Sequence, residues 1–215
     1  NQLYVDGEGG SDANPSSRGT PDKPFKSIQA CINFITKVYK FANVSSYINC
    51  KNINSTSPLS LPSFDSTTAS ITIRAASFNA STARNNPTVL DGYHIKLTVS
   101  PVNPQFAITA SGTGVWSLCN FDVTTTDSFL TETEYIGGHG HIGSLRLGDY
   151  STVSLTDCKF SHTRDSAKPW LAKETNGEHV FFITNYSILY VNSGVSLNGL
   201  DLGTSVTLEG AHAGT

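Results

Sequence analysis

The sequence predicts an all-β chain: a parallel β-helix, a solenoid in which short strands and sharp bends repeat and stack. Three observations predict it. A short unit is written three times, a bend residue keeps its place in each copy, and a single amphipathic helix precedes a long run of strand-like segments.

The unit reads Trp-Ser-Leu-Cys-Asn-Phe-Asp-Val from Trp116, Val-Ser-Leu-Thr-Asp-Cys-Lys-Phe from Val153 and Val-Ser-Leu-Asn-Gly-Leu-Asp-Leu from Val195. Superposed without gaps, Trp116, Val153 and Val195 coincide, as do Leu118, Leu155 and Leu197. The fifth position holds Asn120, Asp157 and Gly199, the residue types that tolerate positive φ. Period-2 alternation on both sides of such a residue describes two short strands joined by a bend, with one face buried. The copies start 37 and 42 residues apart. That is too far for hairpin partners and suits units that bury their apolar faces on one another. An antiparallel sandwich with strands alike by chance is the competing architecture.

The chain has 215 residues, 38% of them hydrophobic and only 14% charged, so ion pairs do not dominate its surface. Ser and Thr make up about a quarter of it. A net charge of -3 provides no basic field for nucleic acid. No apolar run reaches the length of a membrane span, and no signal peptide is visible. The start at Asn1 and the lack of Met read as a piece of a longer protein. Cys158 shares an inward slot with Phe121 and Leu200, and Cys119 lies on the outward side, so Cys31, Cys50, Cys119 and Cys158 are expected as free thiols. Sequons at Asn43, Asn54, Asn79 and Asn185 match the number chance would give in so Asn- and Ser-rich a chain.

In chain order, residues 3–7 read as a strand running into a turn, and residues 8–23 as a loop. In it Asp6, Glu8 and Asp12 are the acids able to chelate Ca²⁺, although turn carboxylates that bond their own backbone are commoner. No other cofactor is expected. Pro24 to Lys40 reads as a helix, with Phe25, Ile28, Cys31, Ile32, Ile35 and Val38 on one stripe. Its expected task is to cover the open first unit, whose exposed edge would otherwise invite aggregation. Two regions follow: 1–43 as strand, loop and capping helix, and 44–215 as the stacked repeat. The repeat carries insertion loops at about 51–68, 124–144 and 161–179. The last unit lacks an apolar cap and is expected to continue or to meet another chain.

Tyr4-Val5-Asp6-Gly7, then Gly10-Ser11-Asp12, then Pro24-Phe25-Lys26-Ser27-Ile28-Gln29-Ala30 resemble the opening of right-handed parallel β-helix proteins of the pectin-lyase-like superfamily. The likeness is greatest to bacteriophage tailspike and tail-fibre proteins. Ile71 to Arg74 and Thr88 to Gly92 resemble the units that follow. The resemblance implies a right-handed coil, an N-terminal capping helix and a homotrimer. It also implies a virion-tail or extracellular location and contact with a cell-surface polysaccharide.

Function usually sits in loops held on such a scaffold. Glycan recognition needs flat apolar faces and planar polar groups, and the residues of those types are Trp170, Tyr135, Tyr150, Arg164, Asp165, His139 and His141. Trp170 serves equally well to pin its own loop. The pair His139 and His141 lacks a third metal ligand, so no metal site is assigned. Depolymerase chemistry would need paired carboxylates. The candidates are Asp149, Asp165 and Glu174, none tied to another by spacing. The reading is a receptor-binding region recognising bacterial surface glycan. A polysaccharide hydrolase or lyase of the same fold and a structural spacer of a trimeric fibre are the alternatives.

Overall fold

The computed structural model describes residues 1–14, 18–38, 45–64, 69–79, 87, 94–100, 106–126, 142–163, 178–197, 200–201 and 206–209. Within them the chain is predominantly β, with three sheets whose strands are almost all parallel. It opens with β1 (Gln2–Asp6) and α1 (Ile28–Val38) and then visits the three sheets in turn.

The first circuit after the helix is β2 (Ser46–Lys51), β3 (Asn54–Ser55) and β4 (Leu59–Leu61). The next is β5 (Ser70–Ala75), β6 (Ile95–Val99) and β7 (Phe106–Ala110). Then come β8 (Val115–Cys119), β9 (Phe121–Thr126) and β10 (Ile142–Leu147), followed by β11 (Thr152–Thr156), β12 (Lys159–Thr163) and β13 (Glu178–Ile183). The last is β14 (Ile188–Val191) and β15 (Ser196–Leu197), after which β16 (Leu200–Asp201) and β17 (Val206–Glu209) reverse direction. The first sheet runs β1-β2-β5-β8-β11-β14-β17, the second β3-β6-β9-β12-β15-β16 and the third β4-β7-β10-β13.

Alternation explains how these strands share one core. Parallel sheets covered on both faces show continuous apolar runs, whereas β5 and β8 alternate buried and half-buried residues. One face is therefore covered. In the first sheet Leu3, Ile48, Ile73, Leu118, Leu155 and Val191 stand in one in-register column, each no more than 5% exposed. Leu97, Val123 and Phe160 form the matching column of the second sheet, and Leu61, Ala110 and Leu147 that of the third. Each fully buried Leu, Ile or Phe contributes roughly 1.5–3 kcal/mol, and stacking brings like on like without changing the local pattern.

Bends hold the register. At the corner between the first and second sheets Asn52, Asn120 and Asp157 have φ of 54°, 62° and 51°. The Asn120 amide donates to Asp157 Oδ2 at 2.8 Å. The bend residue read from sequence therefore does its expected work in the first two copies, and Val153 pairs with Trp116 and Leu155 with Leu118 as superposition required.

The third copy is displaced. Val153 stacks on Leu189 rather than on Val195, while Ser196 and Leu197 pair with Lys159 and Phe160. The structural repeat is thus Ile188-Leu-Tyr-Val, a bend one residue longer, and Val195-Ser-Leu. Gly194, at φ 76°, lies at that bend, where a Cβ would stand 3.0 Å from the Asp157 Cα. Leu200 lies in the antiparallel β16 opposite Leu197, outside the column of Phe121 and Cys158. The gapless superposition therefore placed Val195 six residues beyond Leu189, the residue that stacks on Val153.

Two further expectations change. Residues 51–64 do not leave the core as a loop: they contribute β3 and β4, with Leu59 and Leu61 buried and Ser60 exposed, while 65–68 lie outside the described residues. Thr56, Ser57 and Pro58 form the tight connection between these very short strands. The helix starts at Ile28 instead of Pro24, because Phe25 is held in extended pairing with β1. Asp12 accepts from the Lys26 and Ser27 amides at 2.8 and 3.1 Å, and Ser27 Oγ accepts from the Ala30 N–H at 3.2 Å, which caps the helix. Ile28, Cys31, Ile32 and Ile35 face the core, and Val38 is exposed. All four cysteines are free thiols.

Candidate functional site: the tyrosine corner

The corner between the third and first sheets is built from a repeated turn. Leu147 and Thr152 are in register with Ile183 and Ile188, so Gly148-Asp149-Tyr150-Ser151 superposes on Thr184-Asn185-Tyr186-Ser187. In each, the fourth residue's N–H donates to the first residue's carbonyl, at 3.1 Å in Gly148–Ser151 and 3.4 Å in Thr184–Ser187. The third residue has positive φ, 64° at Tyr150 and 58° at Tyr186. Turns of this kind favour Gly or Asn at that place. A bulky side chain there is an outlier costing about 1–2 kcal/mol.

What the two tyrosines do in that conformation is specific. Their rings stack with centroids 5.2 Å apart and planes 5° from parallel, while Tyr150 stays 59% and Tyr186 52% exposed. Stacking returns about 0.5–1.5 kcal/mol. The turns beneath are fixed: Ser151 and Ser187 are buried, Thr184 Oγ1 donates to the Leu147 carbonyl at 2.8 Å, and Ser187 Oγ donates to the Thr184 carbonyl. One circuit earlier the equivalent residue is Thr113, flanked by Gly112 and Gly114 at φ 66° and 126°. A Cβ at Gly114 would stand 2.6 Å from the Phe64 ring. Glycine holds the turn where it is packed over, and tyrosine holds it where it is open.

The corner adjoins the outer face of the first sheet. Thr72, Ser117, Ser154 and Tyr190 form an outward column there, with Tyr190 41% exposed. Asn192 Nδ2 donates to Ser154 Oγ at 2.8 Å and to Thr156 Oγ1 at 3.1 Å, which fixes the orientation of the hydroxyls. Flat apolar rings beside an oriented surface of hydroxyls and amides suit a polar ligand with apolar faces.

Of the residues expected from sequence, Tyr150 and Asp149 stand on this corner, both exposed. The positions equivalent to Asp149 in the neighbouring circuits, Gly112 and Asn185, carry no carboxylate. Tyr135, His139, His141, Arg164, Asp165, Trp170 and Glu174 lie outside the described residues. Their insertions are anchored together, because Thr126 pairs with Thr163 where they leave and Ile142 with Glu178 where they return. That anchor is the corner between the second and third sheets, and strand β10 separates it from Tyr150. Tyr186 and Tyr190 are functional candidates that sequence reasoning missed. The available signal was the repetition of Asp149-Tyr150-Ser151 as Asn185-Tyr186-Ser187 one circuit later.

Of the three acids considered for Ca²⁺, Asp6 and Asp12 are otherwise engaged. Asp6 accepts from the Glu8 N–H at 3.1 Å and pairs with Lys51 at 3.1 Å, and Asp12 caps the helix. Among the described residues no three His, Cys, Asp or Glu side chains cluster as metal ligands. Among them, also, no helix is long and apolar enough to cross a membrane. Comparisons of the chain with protein-family models, with curated proteins and with solved structures give no match.

Proposed function

We propose that this chain is a right-handed parallel β-helix acting as the receptor-binding region of a phage-like tail spike or fibre, and that it recognises a bacterial surface glycan at the tyrosine corner. The observation that carries the reading is the exposed, parallel pair of Tyr150 and Tyr186 held at positive φ. Strain at two adjacent turns with solvent-facing rings has no packing purpose, and strained residues kept in place cluster at binding sites. Sugar rings present C–H faces to aromatic rings and hydroxyls to Ser, Thr and Asn, which is the pattern of the corner and the adjoining sheet face. The sequential visit to three sheets and the opening motif around Tyr4 to Ala30 support the β-helix reading.

Binding is favoured over cleavage at this corner because the described positions equivalent to Asp149 in the neighbouring circuits, Gly112 and Asn185, supply no carboxylate, and hydrolysis needs two. The chain assembles as a homotrimer in this reading, and light scattering at micromolar concentration would return three times the chain mass. The functional test is incubation with capsule and lipopolysaccharide from a panel of bacteria, followed by sizing of the polysaccharide. Intact polysaccharide that co-elutes with the protein supports the proposal. Shortened polysaccharide identifies a depolymerase, with Asp165 and Glu174 the next residues to change. The absence of association across the panel contradicts glycan recognition.

A further inference from the structure

At the N-terminal end each of the three sheets begins with a strand whose outer edge needs covering. Two are covered by amide groups of the chain itself. On β1, Phe25 supplies a single extended residue: its N–H donates to the Tyr4 carbonyl at 2.9 Å and its carbonyl accepts from the Asp6 N–H at 2.8 Å. On β4, the Gln29 side chain does the same work: Oε1 accepts from the Ser60 N–H at 2.8 Å and Nε2 donates to the Ser60 carbonyl at 3.1 Å.

The third edge, on β3, is open among the described residues. Asn54 pairs with Lys96 in a parallel ladder, and the Lys96 N–H donates to the Ile53 carbonyl at 3.1 Å. Parallel ladder geometry then turns the backbone groups of Ile53 and Ser55 toward β6 and the N–H and C=O of Asn54 away from it. No group among the described residues bonds them. They face a cleft of about 610 Å³ between residues 52–59 on one side and Gly7, Glu8 and the first turn of α1 on the other. Its apolar lining is Ile28, Ile53, Pro58, Leu59 and Leu97. This is the position that a strand continuing from β1 would fill, had the chain not turned away at Gly7 to Gly10 to reach the helix.

We propose that the edge of β3 accepts an extended peptide segment of a partner protein by parallel strand addition. The occupant is a polypeptide because the unmet groups are one N–H and one C=O on a single strand residue, the pair that Phe25 and Gln29 satisfy with amides at the other two edges. Its side chains follow from the pleat: apolar, polar, apolar, with the outer two turned inward toward Ile53 and Leu59 and the middle one beside Asn54. An adjoining depression of about 400 Å³ shares Glu8 and Asn54 and reaches Lys96 and Asp122. Lys96 and Asp122 are register neighbours, and Glu8 has no ion pair among the described residues, so the middle side chain is basic. The inference stands apart from the tyrosine corner and from the glycan reading.

The chain contains its own probe. Strand β6, Ile-Lys-Leu-Thr-Val, has this pattern and pairs with the other edge of β3. A fluorescent, end-blocked IKLTV peptide titrated into the intact chain is expected to bind saturably. N-methylation of its leucine, whose N–H meets the Asn54 carbonyl, should weaken binding at least tenfold, and N-methylation of its lysine should change it less than twofold. Amide hydrogen exchange at Asn54 should be fast in the free protein and at least tenfold slower with peptide. Equal binding of the N-methyl-leucine peptide, or no slowing at Asn54, overturns the proposal. A panel of neutral oligosaccharides that slows Asn54 where the peptide does not would also overturn it, by assigning the cleft to sugars.

Discussion

At the corner between the first and second sheets, Asn120 and Asp157 hold φ of 62° and 51°; at the corner between the third and first, Tyr150 and Tyr186 hold 64° and 58°. The backbone device is the same, and the side chains go opposite ways. Asn120 is 8% exposed and bonded to Asp157, so its side chain ties one circuit to the next. The tyrosine rings also touch across circuits, yet more than half of each remains in water. Asn is a low-strain choice for a left-handed bend and tyrosine is not. The first corner therefore reads as architecture, and the second is the surface we propose for recognition.

The difference is sharpest in stability. Asn120→Ala replaces a residue that tolerates positive φ with one that does not and leaves Asp157 without its donor, so unfolding free energy in denaturant should fall by about 2–4 kcal/mol. Asn120→Gly, which keeps the φ, should lose less. At the other corner, Tyr150→Gly relieves about 1–2 kcal/mol of strain and gives up about 0.5–1.5 kcal/mol of stacking. Its unfolding free energy should stay within about 1 kcal/mol of the parent. A loss at Tyr150 as large as that at Asn120 would break the contrast.

Acid should act on the first corner too. Burial pushes the Asp6 carboxyl up, but bonds from the Gly9 and Glu8 N–H groups and from Lys51 outweigh it and hold it below its usual value. Asp6 also accepts from Asn52 Nδ2 at 3.3 Å, which ties it to the bend. A depressed folded pKa stabilises fully above the unfolded value near ~3.9 and is lost as pH falls through the folded one. The thermal midpoint should therefore drop below about pH 4, and Asp6→Asn should reduce that drop.

The smallest effect is chemical. Burial pushes the Cys158 thiol, next to the Asp157 bend, up to about 12. Iodoacetamide should label half-buried Cys119 first and reach Cys158 only on unfolding, which mass spectrometry would follow.

Much of this fold was legible because its local rules are strict. Leu118 and Leu155 share a column because alternation and an Asn or Asp bend leave the strand no other register. The third copy misled because Val195-Ser-Leu, a strand start of the second sheet, has the same residues as Val153-Ser-Leu of the first, whose true partner Leu189 lies six residues earlier in a stretch of different sequence. Strand β3 escaped because two residues carry no period, and Ser-, Thr- and Pro-rich bends look like a loop. Ile95, Lys96, Leu97, Thr98 and Val99 alternate cleanly, and were overlooked only because Thr88 to Gly92 looked like the strand of that circuit. Of the tyrosine corner, Tyr150 stood out as a flat aromatic face, whereas its pairing with Tyr186 depends on stacking across a circuit.

The most direct test of the tyrosine corner is calorimetric titration of a bound bacterial surface polysaccharide into the parent chain and into Tyr150→Gly/Tyr186→Gly. The account predicts at least tenfold weaker binding by the double variant, with an unfolding midpoint no lower than the parent's. Equal affinity in the two proteins would contradict it, and would move recognition away from these rings.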